Sequence, residues 1–428
     1  MRRPSLLTLL TVAPVFSALA ADPQALATRL LDQLDAGQYT QAEAMFSAQM
    51  KAAVPADKLK AVWESLPAQL GTAGERGTAQ LHEADGVRVV QVPLVYANGR
   101  LKAQIAVASN DQVSGFLIQP DAAPAPPAPA DAAYREQAFE IPANAGRSAG
   151  LPGTLTLPHG TGPFAAVVLV HGSGPQDRDE TAGPNRPFLD IARGLAAHGI
   201  AVLRYDKRTY ARAQDFAGSF DIDDETSHDA VAAIAALAAQ PGIDTKRLYV
   251  LGHSQGGLLA GRIAAQSPTP LAGLILLAAP ARPLLDLLGE QNRYLVNLDG
   301  TVSAAEQAHL DSLDAAIAKV RHDPTATLMN IPGRFWQQLE QVDPVADVTA
   351  SGLPALLLQG GRDFQVVDAD WQRFKQGLQG PRYRFHHYPA LNHLGIAGTG
   401  AGSLDEYQQP GRVDATLIAD IAHWIQHD

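Results

Sequence analysis

A doubly wound, mostly parallel α/β sheet with an inserted helical cap, preceded by a small α+β domain, is the architecture this 428-residue chain predicts. Three observations carry that expectation. From about residue 134 onward, short apolar runs alternate with amphipathic stretches of helical period. One of those runs passes through G-x-S-x-G straight into a helical segment. Ahead of them, residues 22–118 are helical in period first and alternate with period two afterwards, which is the signature of an α+β module.

Taken in order, the chain opens with Arg2 and Arg3, an apolar stretch over residues 6–19, and the small-residue ending Ala18-Leu19-Ala20. This pattern predicts a cleaved secretory signal over residues 1–20 and a periplasmic or secreted mature protein. Pro4 and Pro14 bracket a segment shorter than the ~20 residues a membrane span needs, so no stable anchor is expected. Leu26, Leu30, Leu31 and Leu34, then Met45 and Phe46, then Leu59, Val62, Trp63 and Leu66 predict helices punctuated by Gly37 and Pro55. Between Gly77 and Ile118 the alternation V-R-V-V-Q-V-P-L-V-Y, a turn at Asn98-Gly99, and L-K-A-Q-I-A-V predict an antiparallel meander. The first domain is therefore expected over residues 22–120, followed by an Ala/Pro spacer over 121–133.

The second domain, 134–428, supplies strand candidates at residues 151–157, 165–170, 201–205, 248–251, 274–277, 355–358 and 383–387. Helical stretches at 188–198, 226–239 and 258–266 separate several of them. Unbroken apolar strands joined by helices describe a parallel sheet covered on both faces. The rhythm breaks from about 282 to 350, where polar helical segments dominate, and an inserted cap is expected there.

Composition narrows the function. With 33 Lys and Arg against 44 Asp and Glu the net charge is −11, which disfavours a grip on nucleic acid or an anionic membrane. The absence of cysteine removes disulfides, thiolate metal sites and a cysteine nucleophile. No phosphate loop, dinucleotide fingerprint or H-E-x-x-H zinc helix occurs, so no cofactor and no metal is expected.

The chemistry is expected around R-L-Y-V-L-G-H-S-Q-G-G at 247–257, where a strand, a sharp turn and a helix follow one another. Ser254 is the candidate nucleophile, and Gly252 and Gly256 are small because larger side chains beside the turn would collide with it. An oxyanion hole needs backbone N–H donors where negative charge develops. One is expected from Gln255. The other is expected from the loop His171-Gly172-Ser173-Gly174, at Ser173 in preference to Gly172. His393, after the last strand candidate, occupies the chain position of the general base, while His171 and His253 are expected to shape the pocket. Asp363, in L-L-L-Q-G-G-R-D, ends a buried strand and can orient the imidazole; Asp368 and Asp370 read better as the acidic first turn of a helix. Phe335 and Trp336 of the cap are candidate lining for a substrate pocket, against the alternative that they are cap core.

The elbow, the H-G-S-G loop and the chain order Ser254, Asp363, His393 resemble the α/β-hydrolase superfamily across residues 134–428. More narrowly, H-G-S-G-P-Q-D-R-D-E at 171–180, R-Y-D-K-R at 204–208 and the helix-plus-meander front domain resemble exported bacterial carboxylesterases of the EstD type, whose front domain is of the DUF3887 type. That resemblance implies hydrolysis of short- to medium-chain acyl esters, a small-molecule substrate, through an acyl-enzyme on Ser254. Thr209-Tyr210-Ala211 depart from the Gly-rich turn expected after Arg208. Asp177, Arg178, Asp179, Asp206 and Arg208 are expected to form an ion-paired collar bracing the loop, against the alternative of a solvated charged face. Two other readings stay open: a serine peptidase or amidase of the prolyl oligopeptidase type, and a non-catalytic periplasmic binding protein on a hydrolase scaffold. For the front domain, polymer binding, a homodimer contact and a cover over the site all remain open.

Overall fold

The computed structural model describes residues 22–427 except 85, 86, 98, 122–124, 144–148, 217 and 219. The expected signal segment 1–20 and Asn98 of the expected hairpin turn lie outside the described residues. The chain separates into two compact units at residues 123/124.

In the first unit, α1 (Pro23–Asp35) begins where the Asp22 carboxylate accepts from the Gln24 amide, with proline at N1, where no N–H is needed. It stops ahead of Gly37, which takes φ +69°. Then follow α2 (Tyr39–Ala44), α3 (Ala48–Ala53) and α4 (Ala56–Leu70), the last entered through Pro55. Strands β1 (Gln80–Ala84), β2 (Val87–Tyr96), β3 (Gly99–Val107) and β4 (Val113–Pro120) pair as an antiparallel meander in chain order. Alternation along β2 buries Val90, Val92 and Leu94 in one cluster with Leu26, Leu30, Leu34 and Trp63. Each such side chain contributes roughly 1.5–3 kcal/mol on leaving water, so this unit has a core of its own.

The second unit is built on an eight-stranded sheet. Its strands are β5 (Tyr134–Ile141), β6 (Leu151–Pro158), β7 (Phe164–Val170), β8 (Ala201–Tyr205), β9 (Ile243–His253) and β10 (Gly273–Leu277). A two-residue ladder, β11 (Thr327–Leu328) with β12 (Ile331–Pro332), stands apart, and β13 (Ala355–Gly360) and β14 (Tyr383–Tyr388) complete the sheet. The spatial order is β14-β13-β10-β9-β7-β8-β6-β5, parallel from β14 to β8, with β6 and β5 antiparallel at one edge.

Helices α5 (Pro187–Ala197), α6 (Arg208–Ala211), α7 (His228–Ala238), α8 (Gln255–Leu258) and α9 (Ala260–Gln266) connect the central strands. Residues 284–351 form α10 (Leu284–Val296), α11 (Ala304–His322), α12 (Gly333–Glu340) and α13 (Pro344–Ser351), and α14 (Asp368–Gly377) and α15 (Ala415–His427) follow. Both faces of β7 are buried, which is why it reads F-A-A-V-V-L-V without a polar residue. Val168 and Val170 join Ile234 of α7, Leu258 and Ile263 on one side. Val167 and Leu169 join Phe188 of α5 and Ile421 of α15 on the other. The helix expected at 258–266 is broken after Leu258, and the region expected to lack strands holds the small β11–β12 ladder. Among the described residues no helix is long and apolar enough to cross a membrane, and no group of side chains is arranged to hold a metal ion.

Candidate active site

The carboxyl ends of β7, β9 and β13 bring together the residues singled out in the sequence. At the end of β9, Ser254 adopts φ +51°, ψ −119°, a backbone region a side chain occupies only when its surroundings impose it. Its amide donates to the Leu277 carbonyl at 2.9 Å, and its carbonyl accepts from the Leu258 amide. The flanking glycines are sterically required. A Cβ on Gly252 would stand 2.2 Å from the Gly256 carbonyl oxygen, and one on Gly256 would stand 2.3 Å from that of Val170. Ser254 is thereby held at the N-terminus of α8, as the strand–turn–helix context requires.

Asp363 and His393 meet. His393 Nδ1 donates to Asp363 Oδ2 at 2.8 Å, and both side chains are buried. The carboxylate is saturated, because Oδ1 accepts from the Gln365 and Val366 amides at 2.8 and 2.9 Å and Oδ2 also accepts from Gln359 Nε2. This leaves His393 Nε2 as the nitrogen available for proton transfer. Gly360 and Gly361 permit the close approach, since a Cβ on Gly360 would lie 2.4 Å from the Leu391 carbonyl oxygen. Asn392 shapes the histidine loop by accepting from the Leu394 and Ile396 amides.

The loop after β7 runs over the serine, with a Cβ built on Gly172 only 3.2 Å from Ser254 Cβ. The Gly172 amide is already committed to Glu180 Oε1 at 2.6 Å. The amides of Ser173 and Gln255, by contrast, have no partner among the described residues. Ser173 Oγ donates to Gln255 Oε1 at 2.9 Å, which ties the two residues together.

His253 and His171 lie beneath this loop. His253 Nε2 donates to the His393 carbonyl at 2.9 Å, and Nδ1 lies 2.9 Å from Glu180 Oε2, as an ion pair out of hydrogen-bond alignment. Burial pushes the His253 imidazole toward neutrality, but the Glu180 carboxylate outweighs it and raises the pKa. Reciprocally, burial pushes Glu180 up while His253 draws it below the usual carboxylate range. His171 goes the other way: burial lowers its pKa to about 4, and its Nε2 donates to the Asp177 carbonyl. Through Glu180 and His253, the loop bearing Gly172 and the loop bearing His393 are joined by one buried pair.

The expected collar is three separate clusters. Arg178 binds Asp206 bidentately, Asp179 is held by Arg186 and Arg204, and Arg208 is paired with Asp229 and Asp215. Asp177 accepts from Thr181 instead. Phe335 and Trp336 are buried in the cap core, in ring contact with Phe220 and with each other, and Trp336 Nε1 donates to the Leu328 carbonyl. Sequence reasoning assigned no role to Glu180, Lys207 or Glu225. The signal available was that Glu180 and Lys207 sit within the runs 171–180 and 204–208 that carry the family resemblance.

A parallel sheet with antiparallel edge strands, a strained serine between β9 and α8, and a buried Asp–His pair after β13 and β14 define an α/β-hydrolase. Residues 161–396 match the family described as serine aminopeptidase, S33, and residues 27–116 match a protein family of unknown function, DUF3887. The chain belongs to the S33 serine aminopeptidase family of α/β-hydrolases and carries a DUF3887 domain in front. It is 35% identical to Esterase EstD of Thermotoga maritima over 385 residues, 89% of this chain and 90% of that protein. Solved structures similar to it include the esterase domain of a Rhodothermus marinus protein, 21% identical, covering 68% of this chain and 97% of that one at a TM-score of 0.41. A Pyrococcus furiosus esterase is 18% identical, covering 64% and 89% at a TM-score of 0.44.

Proposed function

We propose that this hydrolase is a serine carboxylesterase that cleaves short- to medium-chain acyl esters through an acyl-enzyme on Ser254. The observation that carries the proposal is the saturated Asp363–His393 pair beside a serine held at positive φ. In this reading Ser254 Oγ attacks the ester carbonyl while His393 Nε2 takes its proton. The tetrahedral intermediate collapses as His393 returns that proton to the leaving alcohol, and water, activated by the same nitrogen, then releases the acid. Asp363 holds the ring and stabilises its charged form. The Ser173 and Gln255 amides receive the oxyanion, and the Glu180 bond to the Gly172 amide supports Ser173 over Gly172 as the donor. The 35% identity to an esterase over most of the chain supports the ester reading.

The family description favours a second reading, aminopeptidase action. Such an enzyme needs a carboxylate free to hold the substrate's α-ammonium group. Of the described carboxylates joined to these loops, Glu180 is engaged by His253, Glu225 by Lys207 and Asp363 by His393, and this pairing supports the ester reading instead.

A fluorophosphonate probe followed by mass mapping, beside a p-nitrophenyl ester series of increasing acyl length, tests the proposal. Label on Ser254, turnover greatest on short esters, and a loss of about 10³-fold or more in kcat for Ser254→Ala are expected. An unlabelled but folded protein would sink the mechanism and favour a non-catalytic binding role. Faster cleavage of aminoacyl anilides than of esters would favour the aminopeptidase.

A further inference from the structure

Lys207 is buried just past the end of β8, where a lysine is almost never found without a partner. Its Nζ donates to the Gly172 carbonyl at 2.7 Å and forms an ion pair with Glu225 Oε1 at 2.5 Å. Glu225 belongs to a π-helical turn, Asp223–Ser227, that precedes α7. The other oxygen of its carboxylate, Oε2, accepts from Gln255 Nε2 at 2.8 Å and from the Thr226 hydroxyl. Gln255 Oε1 in turn accepts from Ser173 Oγ. The chain of contacts closes on itself: Lys207, the Gly172–Ser173 peptide, Gln255, Glu225 and back to Lys207.

Two features of this ring bear on the oxyanion. The Gly172 carbonyl and the Ser173 N–H are opposite ends of one peptide unit. A cation on the carbonyl draws electron density through the amide and makes its N–H a stronger donor, an effect enlarged where the surroundings are of low dielectric. The ring also contains both residues whose amides have no partner among the described residues, so it sets their separation before any substrate arrives.

We propose that Lys207 is the electrostatic support of the oxyanion hole, polarising the Gly172–Ser173 peptide and closing a hydrogen-bonded ring that holds Ser173 and Gln255 in register. It rests on the esterase reading above. Lys207 touches no reacting atom, so it acts as a positioning residue, and its effect is confined to states in which the substrate oxygen carries negative charge. The Michaelis complex, with a neutral carbonyl, gains little from it.

The test uses the full chain. Lys207→Met alone leaves Glu225 buried without its cation and is liable to unfold. The double variant Lys207→Met/Glu225→Gln removes both charges, while the carboxamide introduced in place of the Glu225 carboxylate can still accept from Gln255, and it carries the measurement. On p-nitrophenyl butyrate, kcat should fall about 10- to 100-fold with KM within about twofold of the parent. The inhibition constant of an alkyl trifluoromethyl ketone, whose serine adduct bears a full oxyanion, should rise by a similar factor. A double variant that keeps the parent's kcat and ketone affinity overturns the proposal, as does a loss of kcat with ketone binding unchanged. A parent protein that neither turns over the ester nor binds the ketone overturns the esterase reading instead.

Discussion

His171 and His253 are both buried and both close to Glu180, yet their protons are held in opposite ways. Nε2 of His171 has a carbonyl to donate to and Nδ1 has no partner among the described residues, so the ring stays neutral down to about pH 4. The unfolded chain takes up that proton near pH 6.5. Between those values the unfolded state binds more protons, so stability falls as the pH is lowered, by about 3 kcal/mol in all. Urea unfolding at pH 7 and pH 4.5 should show most of this loss, and a His171→Gln variant should show a shallower one. His253, with a carbonyl acceptor at Nε2, the Glu180 carboxylate beside Nδ1 and a raised pKa, contributes stability that is complete below pH 6.5 and lost as the pH rises through its folded value. At this scale Ser254 and Asp363 were legible because each follows an apolar strand with glycines beside it, and His393 was legible from its place in the chain after the last strand candidate. Glu180, Lys207 and Glu225 were not. The contacts that give each its role, to His253, to the Gly172 carbonyl and to Gln255, span 73, 35 and 30 residues of chain, and local sequence does not show that these charges are buried.

The elements show the same division. The apolar runs at 165–170, 201–205, 274–277 and 355–358 became β7, β8, β10 and β13 with little change in bounds, since a strand buried on both faces must be apolar throughout. Strand β5, Y-R-E-Q-A-F-E-I, went unseen because an edge strand with one exposed face carries few apolar residues. By sequence, Asp370 is an ordinary first-turn acid of α14. It is fully buried and accepts from the Ala281 and Arg282 amides and from the Arg282 guanidinium, joining α14 to the segment that leads from β10 into α10. Asp370→Ala strands those donors and should cost roughly 3 kcal/mol or more in urea unfolding, while Asp368→Ala at the exposed edge of the same turn should change little.

At the scale of the whole chain, each unit closes a hydrophobic cluster of its own: Leu26 to Val113 in the first, and two clusters on either side of the large sheet in the second. All of Ser254, Asp363, His393, Ser173 and Gln255 lie in the second. A protein beginning at residue 125 should therefore unfold cooperatively and still take a fluorophosphonate label at Ser254. Loss of the label in a folded truncation would assign the first unit a part in the site. Two-fold and 3.6-fold periodicity, the glycines of the elbow and the chain order of serine, acid and base were written locally, because each depends on a residue's own backbone and neighbours a few positions away. Which charges are buried, and with which partner, was decided only on folding. A buried ion pair depends on two side chains, often from distant segments, leaving water together at one point in space, and that distance has no counterpart in local sequence.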